Sequence, residues 1–447
     1  MNTQVWCESA HVDGRPQRSV LIDVRDGRFA TITADAEPGS ATRLNGFTMP
    51  GLANAHSHAF HRVLRSRTQA DRGTFWTWRD LMYRAAERLE PDSYRRLARA
   101  VFAEMALAGV SCVGEFHYLH HQLDGSQYSD PNEMGLALIA AADDVGIRVT
   151  LLDTLYLHGG FGDGGYNAPL GVQRRFSDGT AIAWADRLNR LPTGEMHRLG
   201  AAIHSVRAVD PRSMQLVADW AATSHAPLHA HVSEQVAENE ACAAHHGLSP
   251  IELLAASGVL TDRFSAVHAT HLPGHDIELL AAAASTVVMC PTTERDLGDG
   301  IGPTARFADA GIKMSLGSDS HAVIDLFEEA RAVELDERLR SNERGVHAAS
   351  DLLAMATING HRSLGWNDAG SIAVGGRADL VTIRLDSVRT AGTTTQGAVE
   401  TAVFAGTAAD VTDVHVDGRH IVAEGRHSTI DVAAELDATI RELMDDA

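Results

Sequence analysis

Short runs in which apolar and polar residues alternate occupy both ends of the chain. Near the N-terminus, residues 19–24 and 29–32 alternate in this way around Asp26-Gly27, a dipeptide typical of a tight turn between antiparallel strands. The C-terminal part repeats this texture at residues 378–383, 399–404 and 414–419. We expect the two ends to meet in one small β-sandwich domain formed by residues 1–48 and 366–447, with two unrelated appendages as the alternative.

Between these ends, over residues 49–365, strand-like apolar runs alternate with stretches of helical periodicity. Leu97, Val101 and Met105 recur at intervals of four, which predicts a helix over residues 92–108 that ends at Gly109. The strand-like runs are the one before His56 and residues 112–116, 149–152, 201–204, 227–231, 266–268, 286–290 and 314–317. Eight such units in about 310 residues favour an α/β fold of the (β/α)8 TIM-barrel type, with a doubly wound open sheet as the runner-up.

Polar residues end several of these strands, and in a (β/α)8 barrel the carboxyl ends of the strands carry the functional groups. His56 and His58 end the first strand, where their spacing of two directs both side chains to one face. The later strands end in further candidates: His204, His231 with Glu234 three residues on, His268 and Asp319. A single strand-end histidine is commonly structural, but imidazoles with one carboxylate together match the ligand set of a catalytic zinc or iron ion.

Charge and composition exclude several kinds of partner. The 447 residues include 38 Lys and Arg against 59 Asp and Glu, and the net charge of −21 argues against nucleic acid or an anionic membrane as a partner. The four cysteines have no paired spacing and are expected to be separate buried thiols. The N-terminus lacks a basic segment followed by an apolar one, and no apolar run reaches the roughly 18 residues that span a bilayer. We therefore expect a cytoplasmic protein.

The order of the strand-end residues resembles the amidohydrolase superfamily, which has His-x-His on strand one, histidines on strands five and six, and an aspartate on strand eight. The motifs at residues 50–52 and 376–380 also resemble that pattern. The resemblance implies one divalent metal ion held by four ligands: His56, His58, His231 and Asp319. Members with two ions bridge them with a lysine on strand four, whereas the single lysine of this chain, Lys313, precedes strand eight. Zinc is the expected ion, with Fe²⁺ as the alternative.

The His-x-x-Glu pattern on strand five resembles the deaminases of this superfamily. A catalytic metal lowers the pKa of its bound water to about 7. Asp319 can take the proton of that water, and Glu234 can carry a proton to a nitrogen that leaves as ammonia. His268 is expected to hydrogen-bond the attacking hydroxide.

Arginines are the main clue to the substrate. Residues 61–100 contain ten arginines against five acids, and we interpret most of them as a solvated helical face. Arg79 differs, because the aromatic residues around it at 75–84 can hold a guanidinium for carboxylate binding. A second arginine, Arg207, follows strand four.

These two stretches, together with residues 115–121, resemble the N-formimino-L-glutamate deiminase family of histidine degradation. The resemblance implies a small dicarboxylate substrate that is hydrolysed to N-formyl-L-glutamate and ammonia. It places Arg79 and Arg207 on the two carboxylates, and Tyr118 and His204 near the glutamyl or amidine end. His61 departs from the family, which has glutamine there, although histidine can also donate a hydrogen bond.

Two other functions remain open from the sequence. A single-metal deaminase of a purine or adenosine-type heterocycle is the nearest alternative, but such a substrate has no need of paired arginines. A catalytically inactive barrel that acts as an assembly scaffold would lack a ligand or an acid, yet every expected position is filled. A homodimer is expected from the family.

Overall fold

The structure is a computed structural model that describes residues 2–69, 73, 75–162 and 164–444. Its strands are β1 (Asn2–Val12), β2 (Arg15–Arg25), β3 (Arg28–Thr33), β4 (Thr42–Pro50), β5 (Leu52–Ser57), β6 (Val110–His117), β7 (Arg148–Leu155), β8 (Phe161–Gly162), β9 (Gly165–Tyr166), β10 (His197–Ile203), β11 (Leu228–Val232), β12 (Phe264–His268), β13 (Thr286–Met289), β14 (Lys313–Leu316), β15 (Leu380–Ile383), β16 (Val411–Val416), β17 (Arg419–Ala423) and β18 (Arg426–His427).

The α-helices are α1 (Phe75–Glu87), α2 (Pro91–Leu107), α3 (Glu133–Val145), α4 (Ala181–Leu188), α5 (Pro211–Ser224), α6 (Val236–His246), α7 (Pro250–Ala256), α8 (Gly274–Ala282), α9 (Pro291–Leu297), α10 (Thr304–Asp309), α11 (Leu326–Ser341), α12 (Ala349–Ala354), α13 (Gly360–Ser363), α14 (Ala398–Phe404) and α15 (Val432–Met444). Shorter 3-10 helices cover Ala59–Leu64, Gly171–Phe176 and Ala408–Asp410, and a π-helical turn covers Met355–Asn359. Among the described residues, no helix has both the length and the apolarity required to cross a membrane.

The strands at the two ends of the chain form one eight-stranded sheet in the order β18-β17-β16-β15-β4-β1-β2-β3. β4 joins the two ends, because it pairs in parallel with β1 and antiparallel with β15. The sheet curls, so that the amide of Phe29 at its far edge donates to the carbonyl of Gly376, ahead of β15 (3.0 Å). The prediction that the termini meet in one small sheet is therefore confirmed.

One of the predicted C-terminal strands is wrong. Residues 399–404 lie within helix α14, which packs on α11 and α12. Val399, Ala402 and Val403 are buried there, and their spacing of three and four residues places them on one side of a helix. A short apolar run does not distinguish these two structures by itself.

The middle of the chain forms a second sheet of eight parallel strands, in the order β5-β6-β7-β10-β11-β12-β13-β14. Its two outer strands meet through a parallel bridge between Ser57 and Asp319. Across this seam the amide of His58 donates to the carbonyl of Asp319 (3.2 Å), and the amide of Asp319 donates to the carbonyl of His56 (3.0 Å). These contacts confirm the barrel and exclude a doubly wound open sheet.

A buried ion pair connects the barrel to the small sheet. Arg148 begins β7, and its guanidinium binds the carboxylate of Asp379, which precedes β15. The same guanidinium lies 3.1 Å from a carboxylate oxygen of Asp417, in the turn between β16 and β17. The side chains of Arg148 and Asp379 are both fully buried, so each charge depends on the other for compensation.

We predict that Arg148→Met destabilises the protein by about 3–5 kcal/mol, because it leaves Asp379 buried without its cation. Urea unfolding followed by circular dichroism measures this change. Arg384→Ala is the matched control, since it breaks an exposed ion pair with Asp386 (2.7 Å) and should leave the unfolding midpoint unchanged. Equal midpoints for Arg148→Met and the unaltered protein would contradict the assigned role of this pair.

Candidate active site

Closure of the barrel brings four potential metal ligands to one point at the carboxyl ends of the strands. The Nε2 atom of His231 lies 3.1 Å from Nε2 of His56 and 3.4 Å from Nε2 of His58. The Oδ1 atom of Asp319 lies 3.4 Å from the Nε2 atoms of both His56 and His58. Residues from β5, β11 and the loop after β14 thus converge, although more than 250 positions separate the first from the last.

The tautomers of His58 and His231 suit a metal ion. Nδ1 of His58 donates to the carbonyl of Phe116, and Nδ1 of His231 donates to the carbonyl of His204, both at 2.9 Å. A carbonyl only accepts, so Nε2 in both rings carries a lone pair and no proton. Lone pairs that face one another at this distance repel unless a cation lies between them. The donor set therefore fits a divalent metal ion held by His56, His58, His231 and Asp319.

Buried hydrogen bonds hold the backbone that carries these ligands. Glu115 accepts from the hydroxyl of Ser57 (2.6 Å) and from the amide of Ala59 (2.7 Å), on either side of His58. On the other side of the seam, Asp319 has a φ of 42°, a left-handed conformation that is uncommon outside glycine. Such strain persists where the surrounding contacts impose it, as the hydrogen bonds of the barrel seam do here.

A second set of buried ionisable groups lies beside the candidate ligands. Nε2 of His268 lies 3.9 Å from Oε1 of Glu234 and 3.8 Å from Oδ2 of Asp319. Nδ1 of His268 lies 3.4 Å from Oε1 of Glu294, which also accepts from the amide of Cys290 (2.9 Å). The predicted acid, base and hydroxide-binding residues are thus neighbours, and Glu294 holds the far side of the His268 ring.

An open cleft leads from the ligands to the surface, and all five residues predicted to bind substrate line it: His61, Arg79, Tyr118, His204 and Arg207. His61 and the hydroxyl of Tyr118 are hydrogen-bonded at 2.9 Å. The guanidinium carbon of Arg79 lies 5.5 Å from the ring centre of Tyr83, a cation–π contact. Nε of Arg207 donates to the buried carboxylate of Glu238 (3.3 Å), which anchors this arginine at the wall of the cleft.

Comparison with known proteins identifies the family. The profile of the Amidohydrolase family matches residues 47–421. The chain belongs to the amidohydrolase family. It is 38% identical to a formimidoylglutamate deiminase of Pseudomonas aeruginosa over 95% of both chains. It is also 27% identical to a 5-methylthioadenosine/S-adenosylhomocysteine deaminase of Natronomonas pharaonis, over 93% of this chain and 90% of that one.

Solved structures agree on the fold of this amidohydrolase. An amidohydrolase from Brucella melitensis is 31% identical, with a TM-score of 0.89 over 99% of this chain and 100% of that chain. A zinc-bound adenosine deaminase from Xanthomonas campestris shares the fold at 23% identity, with a TM-score of 0.84 over 99% and 98% of the two chains. The family match and the 38% identity to a deiminase show that the chain is a hydrolase of carbon–nitrogen bonds, in a family whose members are generally metal-dependent.

In the amidohydrolase's cluster of candidate metal ligands, the three histidines are neutral and the aspartate is charged. Burial lowers the pKa of His56 and His231, and it lowers the pKa of His58 to about 3. Burial alone would raise the pKa of Asp319, but the hydrogen bond with His56 and the positive charge of His268 lower it overall. Three neutral imidazoles and one carboxylate are the protonation states that bind a divalent ion.

Glu234 and His268, the residues predicted to carry a proton and to bind hydroxide in this amidohydrolase, both have raised pKa values. Burial raises the pKa of Glu234, the charge of Asp319 adds to this, and His268 partly offsets it. For His268, burial favours the neutral ring, but the charge of Glu234 and the hydrogen bond to Glu294 outweigh it and raise the pKa to about 10. A carboxyl group with a raised pKa can both accept and donate a proton near neutral pH.

A second histidine–aspartate cluster of the amidohydrolase is a structural ion pair. Candidate ligand atoms of His117, His120 and Asp153 lie within 4.8 Å of one another in the space between β6, β7 and α4. Arg187 occupies both oxygens of Asp153 (2.7 and 2.8 Å), and Nε2 of His120 donates to the carbonyl of Thr154 (2.9 Å). A carboxylate already bound to a guanidinium and a nitrogen that carries a proton are poor metal ligands.

Several residues of the site had no predicted role. Glu294 follows the seventh barrel strand, so the strand-end argument could have found it as it found His268. Glu115 lies within β6, and only the folded barrel brings its side chain to the loop after β5. Tyr83, Tyr156 and Gln173 also line the cleft, from two helices and a strand end, and no pattern in the sequence connects them. The aromatic side chains at positions 75 and 76 lie outside the described residues.

We predict that His231→Ala loses most of the bound metal after dialysis against a chelator, because one of four ligands is removed. Metal content measured by mass spectrometry gives the stoichiometry. His117→Gln is the control: it alters the other histidine–aspartate cluster and should keep the metal. Thermal unfolding shows that both variants are folded. Metal retention by a folded His231→Ala would contradict the assigned ligand set.

Proposed function

We propose that the protein hydrolyses N-formimino-L-glutamate to N-formyl-L-glutamate and ammonia, a reaction of histidine degradation. The observation that carries this proposal is the position of Arg79 and Arg207, which line one cleft together with the candidate metal ligands and Glu234. A substrate with two carboxylates requires two cations, and a protein of net charge −21 would otherwise repel it. The 38% identity to a formimidoylglutamate deiminase supports the same substrate.

In this proposal a zinc ion, held by His56, His58, His231 and Asp319, supplies Lewis acidity that activates a water molecule at neutral pH. Water adds to the formimino carbon, and Asp319 accepts one of its protons. Glu234 delivers the two protons of the water to the imine nitrogen in turn, so that the carbon–nitrogen bond breaks with release of ammonia and the oxygen becomes the formyl carbonyl. His268 lies within 4 Å of both carboxylates and donates a hydrogen bond to the attacking oxygen.

The substrate contacts are part of the same proposal. Arg79 and Arg207 bind the two carboxylates, while Tyr118 and His204 contact the glutamyl or amidine end. His61 takes the place of the family's glutamine, and its hydrogen bond with the hydroxyl of Tyr118 (2.9 Å) orients that hydroxyl. We also propose a cytoplasmic location and a homodimer.

Deamination of a purine or adenosine-type heterocycle is the second candidate. The supporting observation is the aromatic wall of the cleft, where Tyr118, Tyr156 and Phe176 could contact a planar base. Relatives at 27% identity are deaminases of 5-methylthioadenosine and 8-oxoguanine. Ammonia release over a panel of formimino-amino acids and nucleobases separates the two functions, since paired arginines favour only a dicarboxylate.

We predict that Arg79→Ala and Arg207→Ala each lower kcat/KM for N-formimino-L-glutamate by roughly 10- to 150-fold. Each loses a charged hydrogen bond worth about 1.5–3 kcal/mol, while the metal content stays the same. Arg84→Ala, at an exposed position of the same helix as Arg79, is the control and should behave as the unaltered enzyme. Unchanged kinetics in both cleft variants would remove the substrate assignment.

We predict that Glu234→Gln lowers kcat by about 10²–10⁴-fold, because the amide cannot carry a proton to the leaving nitrogen. Steady-state ammonia release and metal analysis measure the two effects separately, and metal content should not change. Glu240→Gln, at an exposed position of α6 downstream of Glu234, provides the control. A Glu234→Gln enzyme with normal kcat would show that another group transfers the proton.

A further inference from the structure

Two tyrosines and a glutamine form a hydrogen-bonded group in the wall of the cleft. Nε2 of Gln173 donates to the hydroxyl oxygens of Tyr83 (3.1 Å) and Tyr156 (3.0 Å). All three residues line the cleft that contains Arg79 and Arg207. The reaction described above assigns none of them a part.

The orientation of the Gln173 amide follows from the local backbone. Gln173 belongs to the 3-10 helix Gly171–Phe176, and its Oε1 accepts from the amide of Leu170 at the start of that helix (3.0 Å). A backbone amide can only donate, so the oxygen of the side chain faces Leu170 and the NH₂ group faces the tyrosines. Both N–H bonds of that group are then used by Tyr83 and Tyr156.

This orientation determines what the tyrosine hydroxyls can do. Each hydroxyl oxygen already accepts a hydrogen bond from Gln173, so each O–H must donate its own proton elsewhere. Among the described residues, neither hydroxyl has an acceptor apart from its tyrosine neighbour. If one tyrosine donates to the other, the second tyrosine still has an O–H that points away from Gln173, and this O–H lies in the wall of the cleft.

The surroundings favour an anion as the acceptor. Tyr156 is 6% exposed and lies within the electrostatic influence of both Arg207 and Arg79. Its ring centre lies 4.8 Å from that of His204, and the ring of Tyr83 contacts Arg79. Hydroxyl donors between two guanidinium groups complement a carboxylate. A carboxylate accepts their hydrogen bonds more strongly than a neutral amide does, because it is charged.

We propose that Gln173 is a positioning residue for substrate specificity: it directs the hydroxyl proton that the Tyr83–Tyr156 pair leaves free to one carboxylate of the substrate, so that the cleft distinguishes a carboxylate from its amide. This inference rests on the proposed function and adds the source of its discrimination. Arginines supply charge, whereas the tyrosines supply donors whose direction is set in advance by the backbone of the 3-10 helix.

Gln173→Glu isolates this role. A glutamate keeps the size of the side chain and can still accept from the Leu170 amide, so the 3-10 helix retains its cap. Its second carboxylate oxygen accepts the tyrosine protons in place of donating to the tyrosine oxygens. The substrate carboxylate then loses its donors and meets a like charge.

The experiment measures binding of N-formyl-L-glutamate and its two monoamides, N-formyl-L-glutamine and N-formyl-L-isoglutamine, by calorimetry. We expect the unaltered enzyme to prefer the diacid, and Gln173→Glu to reduce that preference over one of the monoamides by at least about tenfold. In turnover, KM for N-formimino-L-glutamate should rise while kcat and metal content stay close to normal. Tyr83→Phe and Tyr156→Phe should each reduce the preference for the diacid over the same monoamide. These two variants test the inference if Gln173→Glu does not fold.

The outcomes separate this inference from the proposed function. Equal weakening of the diacid and both monoamides, or no change, would mean a merely structural role for Gln173 and would overturn the inference while leaving the reaction in place. If the unaltered, metal-loaded enzyme neither releases ammonia from N-formimino-L-glutamate nor binds N-formyl-L-glutamate, the proposed function fails and the inference fails with it.

Discussion

The seam between the first and last barrel strands is the contact on which the rest of this structure depends. Two backbone hydrogen bonds cross it, and both involve Asp319, which pairs with the backbone of His56 and His58. The same pairing sets the positions of three candidate metal ligands, so the site forms only when the barrel closes. His231 completes the set from the opposite side of the ring, held through its Nδ1 by the backbone of the neighbouring strand end.

Concentrating ionisable groups at one buried point has an electrostatic cost that the surrounding structure must offset. Burial keeps the candidate histidine ligands neutral, while the hydrogen bond with His56 and the positive charge of His268 keep Asp319 charged. Glu294 compensates His268 from behind, and Glu115 holds the loop of His58 without facing the cleft. Some buried carboxylates thus lie among the candidate site residues, whereas others hold those residues in place from outside the cleft. A divalent cation suits this arrangement, because it stabilises both the lone pairs and the negative charge.

The predictions of helices and strands succeeded where periodicity extended over a long element or where strand-like and helical stretches alternated regularly along the chain. The helix predicted for residues 92–108 is α2, and each predicted barrel strand is present. The prediction for residues 399–404 was wrong because the run is too short to separate a period of 3.6 residues, typical of a helix, from a period of two, typical of a strand. These residues form a helix that packs against α11 and α12. Residues such as Gln173 and Tyr83 were not found, because they meet only after a 3-10 helix and α1 have been placed against the barrel.

The sequence by itself determined the barrel and the meeting of both ends in one sheet, because alternating patterns are local properties that one chain displays. Strand-end positions gave a list of candidate functional residues, and the resemblance to the amidohydrolase superfamily reduced that list to four candidate ligands. Only the tertiary structure decided which hydrogen bonds hold these residues and which tyrosine hydroxyls lie at the cleft. It also decided that the cluster of His117, His120 and Asp153 is a structural ion pair, unlike the cluster of candidate metal ligands. Those features depend on distances of a few ångströms between segments far apart in the chain. Such distances follow from side-chain packing, which no local pattern encodes.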